Sequence, residues 1–139
     1  MPRARLVVAL VVALAPFVAG GSARGQLDLK AAADTVLAQL DAFRRDDYPA
    51  AYTLASEAIR RIFDRAAFER MVKTGYPEIA RSRSAAVEHA AVASNGHAYL
   101  IIKIRGANGN HIEAIYDLVW ETDGWKITGV VSRPDDELA

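Results

Sequence analysis

Between Asp28 and Arg45 the apolar residues Leu29, Ala33, Val36, Leu37, Leu40 and Phe43 recur every three or four positions, the stripe of an amphipathic helix. Arg44 and Arg45 close that stretch, where the helix dipole favours cations. Asp46 and Asp47 then precede Tyr48-Pro49. Proline is tolerated in a first helical turn, so a second helix carrying Ala51, Tyr52 and Ala55 starts there. Ser56 can cap a short helix through Ile59, Ile62 and Phe63. Asp64 can cap another that carries Ala67, Phe68, Met71 and Val72 and ends at Gly75.

Past a turn at Tyr76-Pro77 the period changes from helical to alternating. Four strand-like runs follow at about 85–94, 97–105, 111–121 and 125–132, and Pro134 ends the last. Asn95-Gly96 suits a two-residue turn with Ser94 opposite His97. Ala107-Asn108-Gly109 suits a three-residue loop with Gly106 opposite Asn110, and Asp123-Gly124 a two-residue turn with Thr122 opposite Trp125. This register puts Val87, Ala91, Trp120, Trp125, Ile127 and Val131 on one inner face with the even-numbered residues of the two middle strands. Outside it leaves Lys103 between Glu88 and Glu113, and Glu121 opposite Lys126.

The same register places one ionisable side chain inside: His89, opposite Ile102. Either it is a neutral imidazole with one hydrogen-bond partner, or it stands at a pocket mouth as a ligand contact or general base. Tyr52, Phe68, Tyr116 and Trp120 either fill the core or line a cavity between sheet and helices. Asp117 and Tyr99 face outward together. No metal-binding helix motif, nucleophile elbow or phosphate-cradling glycine loop occurs, and no cofactor is expected.

Composition adds an address. Arg3 and Arg5, the apolar run Leu6 to Ala19, and the small residues Gly20 to Gly25 have the layout of a signal peptide, so residues 1–25 are expected to be removed on export to a bacterial periplasm or the outside. The apolar run is short for a membrane span and contains Pro16, so no membrane association is expected after cleavage. Residues 26–134 then form one domain, and 135–139 a disordered acidic tail. Cleavage takes three of the 17 basic residues (Arg3, Arg5, Arg24) and leaves 14 against 17 acidic, a balance that argues against nucleic acid. With no cysteine, neither a disulfide nor a thiolate ligand can form.

Helices followed by an antiparallel meander resemble the nuclear transport factor 2-like superfamily. The segment Phe43 to Tyr52, Ala55-Ser56, the spacing of Ile59, Phe63 and Phe68, then Met71-Val72, Tyr76 and the run Tyr116 to Gly129 more closely resemble the domain of unknown function 4864 family. The resemblance implies an α+β fold, N-terminal helices packed on a curved four-stranded antiparallel meander shaped as a cone, in an exported protein. It implies no activity. Isomerases of the wider superfamily carry a carboxylate base inside the cone, and the inner face read here carries none.

Three readings follow. The first is a non-enzymatic exported binding or accessory domain that takes a small apolar ligand or a peptide between His89, Tyr116, Trp120, Tyr52 and Phe68. The second is an isomerase, dehydratase or hydrolase with His89 as general base and the Tyr116 hydroxyl as donor. The third is a structural module that forms a homodimer through its outer sheet face.

Overall fold

The computed structural model describes residues 23–135; of the signal-peptide reading, residues 1–25, all but the last three lie outside the described residues, as does the tail from 136 to 139. Five helices come first: α1 (Ala23–Arg44), α2 (Tyr48–Thr53), α3 (Glu57–Ile62), α4 (Arg65–Gly75) and α5 (Pro77–Ala80). Short acceptor side chains start three of them. Asp47 accepts the Ala50 N–H at 3.1 Å, Ser56 that of Ile59 at 3.3 Å, and Asp64 that of Ala67 at 2.8 Å. The expected turn at Tyr76-Pro77 is instead the one-turn helix α5, started by a proline whose missing N–H costs nothing there, and it buries Ile79 and Ala80.

Four antiparallel strands follow in sheet order β1 (Ser82–Val92), β2 (Ala98–Gly106), β3 (His111–Glu121) and β4 (Gly124–Pro134). The helices cover one face of this sheet, giving an α+β fold. Val36, Leu40 and Phe43 of α1 and Phe68 and Val72 of α4 are buried together with Leu100, Ile102, Ile104, Ala114, Tyr116 and Leu118. Period-two alternation on β2 and β3 sends every even-numbered residue from 98 to 104 and from 112 to 118 inward.

The second hairpin has the expected register. Gly106 donates to the Asn110 carbonyl at 2.9 Å, and pairs run from Arg105↔His111 to Ala98↔Leu118. The first hairpin does not. Its loop is Ser94-Asn95-Gly96, with Ala93 opposite His97, and it repeats the second loop feature for feature: Gly96 has φ 84° and Gly109 φ 83°. Likewise Asn95 accepts the His97 N–H at 2.9 Å and Asn108 that of Asn110 at 3.0 Å. An Asn-Gly pair satisfies either turn, and here it supplies the last two positions of the longer one.

One residue of slip moves side chains across the sheet. His89 pairs with Ile101 and is exposed on the outer face, which corrects its expected inner position; Ala90 takes the inner place opposite Leu100. A bulge at Glu88 then restores Val87 to the row of Ile102.

The third hairpin turns at Thr122-Asp123, with Glu121 opposite Gly124 (φ 132°). A bulge at Thr128 then brings Val130, not Val131, to Tyr116. That bulge is held by the chain before α3, which pairs along β4. Ser56 N–H donates to Ile127 O and Ile127 N–H to Leu54 O, both at 2.8 Å, and the Ser56 hydroxyl meets that of Thr128 at 2.9 Å. The segment also covers part of a sheet edge that would otherwise offer bare backbone. Lys126, expected opposite Glu121, instead reaches the Thr53 carbonyl at 3.0 Å and Asp123 at 3.1 Å.

Asp135 corrects the tail reading. It is buried, its N–H donates to His111 O at 2.9 Å, and its carboxylate pairs with Lys103 at 2.9 Å.

Gly106 is required by close approach. A Cβ there would stand 3.0 Å from the Glu78 Cα and 2.6 Å from the Asn108 Oδ1. The Asn108 side chain can swing away but the α5 backbone cannot, so Gly106→Ala is expected to cost about 1–2 kcal/mol of stability, read as a lower urea midpoint at unchanged slope.

Candidate functional site: a cavity between helices and sheet

A cavity of about 260 Å³ lies between the helices and the β3–β4 side of the sheet. Tyr116, Ile127 and Val130 form its sheet wall, and Gln39 and Phe43 of α1, Ile59 and Phe63 around α3, Phe68, Met71 and Val72 of α4, and Tyr76 and Ile79 enclose the rest. The Thr128 bulge shapes this wall, because it sets Val130 rather than Val131 beside Tyr116.

Three polar side chains interrupt the apolar lining. Gln39 is buried and donates through Nε2 to the Ala51 carbonyl at 3.1 Å. The Tyr76 hydroxyl donates to the Val130 carbonyl at 3.4 Å. Tyr116 is 1% exposed, and its hydroxyl has no hydrogen-bond partner among the described residues. Burial, with the nearby Tyr76 hydroxyl adding to it, holds the Tyr116 pKa well above the usual 10.0, so this group is a neutral O–H at ordinary pH. No carboxylate, imidazole, lysine or arginine is among the lining residues.

The family model described as Domain of unknown function (DUF4864) matches residues 26–138. The chain belongs to this family. No curated protein and no solved structure matches it.

Within this DUF4864 domain, the five side chains singled out from sequence separate. Tyr116 and Phe68 line the cavity together. Tyr52 stands behind it: its ring meets that of Phe68 edge-on at 5.4 Å, and its hydroxyl donates to the Phe63 carbonyl at 2.6 Å, with the Arg60 carbonyl at 3.1 Å. It braces the α3–α4 connection rather than touching the cavity. Trp120 has the inward parity but lies at the end of β3, 60% exposed, beyond the cover of the helices. His89 is on the outer face and Tyr116 on the inner one, so they cannot share a ligand atom, and general-base chemistry by that pair is excluded.

Gln39, Tyr76 and Val130 were missed. Gln39 had a legible signal, since it falls three residues after Val36 and four before Phe43, a polar residue inside the apolar stripe. Tyr76 and Val130 depended on α5 and the bulge, which leave no such mark.

On the outer face, His97 Nδ1 and Asp117 Oδ1 approach to 2.7 Å with the Tyr99 ring stacked on the imidazole. Asp117 and Tyr99 do face outward, but the carboxylate's partner is His97. Among the described residues no serine or threonine hydroxyl joins them in a hydrogen bond. Among the described residues no group of three or more His, Asp or Glu is arranged to hold a metal, and no helix is long and apolar enough to cross a membrane.

Proposed function

We propose that this DUF4864 domain is a non-enzymatic binding module of the nuclear transport factor 2-like type. It works after export and holds a small, uncharged, largely apolar ligand with one hydrogen-bond acceptor in the cavity beside Tyr116. The observation that carries the reading is the Tyr116 hydroxyl, fully buried in an apolar wall and without a hydrogen-bond partner among the described residues. A buried hydroxyl left unsatisfied costs about 1–3 kcal/mol, a cost that a ligand acceptor offsets. The lining offers no cation to a carboxylate ligand, which makes burial of a charged head group unfavourable. The volume is slightly under the ~300–1,000 Å³ of drug-sized pockets, so a compact molecule fits better than a peptide. Helices covering one face of a four-stranded meander support the superfamily reading. The arginines and apolar run before residue 20 support export.

Native mass spectrometry of protein purified from its own compartment tests this. A retained small neutral molecule is expected. Tyr116→Phe should retain about tenfold less of it, the effect of one hydrogen bond, while being about 1 kcal/mol more stable when empty. A wild-type protein that retains nothing, together with a Tyr116→Phe variant that is less stable, would show the hydroxyl already satisfied within the protein and would end the reading.

A further inference from the structure

We infer that a second site, independent of the cavity, lies at the Trp120 end of the sheet and binds a neutral saccharide by stacking a sugar ring on the exposed indole. A groove there is lined by Glu57 and Arg60 of α3 and by Trp120, Glu121, Thr122 and Asp123 at the β3–β4 turn. Trp120 has inward parity but remains 60% exposed, the one aromatic among the exposed large hydrophobic side chains of the described residues. It is also held in place. The buried Trp125 stands directly across the ladder, its ring 5.4 Å away at 84°, so the exposed indole is a supported flat platform.

The rim decides the ligand class. Glu121 ties the strand to α3 by accepting the Glu57 N–H at 2.9 Å, and it lies 3.8 Å from the Arg60 guanidinium. Glu57 pairs with Arg61 at 2.6 Å and Asp123 with Lys126 at 3.1 Å. Each carboxylate of the groove therefore already has its own cation. A cationic ligand, or a basic peptide drawn to the indole face, would find no uncompensated negative charge. The compensated pairs still offer donors and acceptors side by side, together with the Thr122 hydroxyl. Vicinal hydroxyls of a sugar need that set, and the C–H face of the ring supplies the apolar surface that the indole accepts.

The purified protein is titrated with cellohexaose and, separately, with chitohexaose, followed by indole fluorescence and by sedimentation. At least one oligosaccharide should change the emission saturably. Trp120→Ala should weaken that binding by about tenfold or more and Trp120→Tyr by far less, both variants staying folded, with a modest drop in thermal midpoint for Trp120→Ala from the lost ring contact with Trp125. Tyr116→Phe should leave it unchanged, which separates this site from the cavity. Any of the following would overturn the proposal: neither sugar changing the emission, binding indifferent to Trp120→Ala, or a salt-sensitive response to a lysine-rich peptide in place of the sugars. Concentration-dependent self-association abolished by Trp120→Ala, with no sugar binding, would assign the face to a second copy of the chain and would equally overturn it.

Discussion

Phe43→Ala is expected to lower stability by about 3–5 kcal/mol, enough to leave a domain of this size barely folded. Phe43 sits in the last turn of α1 at 1% exposure, with its ring 5.4 Å from that of Tyr48 and 6.0 Å from that of Phe68, and it forms part of the cavity wall. Truncation costs most where the surroundings cannot collapse into the space. Here the space joins a void of about 260 Å³ already kept open by ring-to-ring contacts, so a value high in the range is expected. Urea unfolding followed by far-ultraviolet circular dichroism gives the loss directly. The enlarged apolar void should also accept benzene, raising the thermal midpoint of the variant more than that of the wild type. A loss below about 1 kcal/mol would mean that α1 is free to settle toward the sheet and that the cavity wall is not rigid.

Phe43 belongs to the part of the fold that the sequence made legible. The α1 stripe, the caps Asp47, Ser56 and Asp64, and the alternation on β2 and β3 are local patterns with one physical reading each, and each corresponds to an observed element. The middle hairpin was legible because side-chain pairing chose between two turns: a two-residue Asn108-Gly109 turn would set Ile104 opposite Glu113, whereas the three-residue loop sets Ile104 opposite Ile112 and Lys103 opposite Glu113, as observed. At Asn95-Gly96 the same chemistry had two solutions, and the choice between them moved His89 from the inner face to the outer one. The bulges at Glu88 and Thr128 have no counterpart in local propensity. The second is fixed by the pairing of Leu54 and Ser56 with Ile127, more than seventy residues apart in the chain.

The candidate site divides along the same line. Tyr116 and Phe68, on elements whose register was unambiguous, reach the cavity. His89, on the strand beside a misread turn, does not, and Trp120, whose inward parity was read correctly, does not because it lies at the far end of β3 and stays exposed. What can be recognised without long-range pairing is therefore the apolar character of the pocket. Its polar content is legible only in part: Gln39 interrupts the apolar stripe of α1, whereas Tyr76 comes beside Tyr116 through tertiary contacts that leave no local mark.

Lys103→Met is expected to cost about 2–4 kcal/mol, somewhat under the 3–5 of a fully buried pair because the ammonium keeps some contact with solvent. Lys103 lies 2.9 Å from both Glu113 and Asp135 and 3.7 Å from Glu88, joining β1, β2, β3 and the last described residue on the outer face. Methionine matches the stem but leaves the buried carboxylate of Asp135 and the half-buried one of Glu113 with one cation fewer; Glu113 keeps Arg133 at 2.6 Å. The pH dependence has a definite sign. Burial alone would raise the Glu113 pKa, but the hydrogen bonds and charges of Lys103 and Arg133 outweigh it and hold the group below its usual 4.5. Its stabilisation is therefore fully present above pH 4.5 and is lost as pH falls through the lower folded value. Lys103 is held well above its usual 10.5, chiefly by the hydrogen bonds it donates to Asp135 and Glu113, so its contribution persists up to that pH and fails only as the higher folded value is passed. Urea midpoints measured from about pH 3 to 7 should show the gap between wild type and variant constant near neutrality and narrowing on the acid side, as protonation takes from the wild type what the substitution has already removed. A gap that stays constant down to the lowest pH would mean that the loss comes from packing of the lysine stem and not from the charges it compensates.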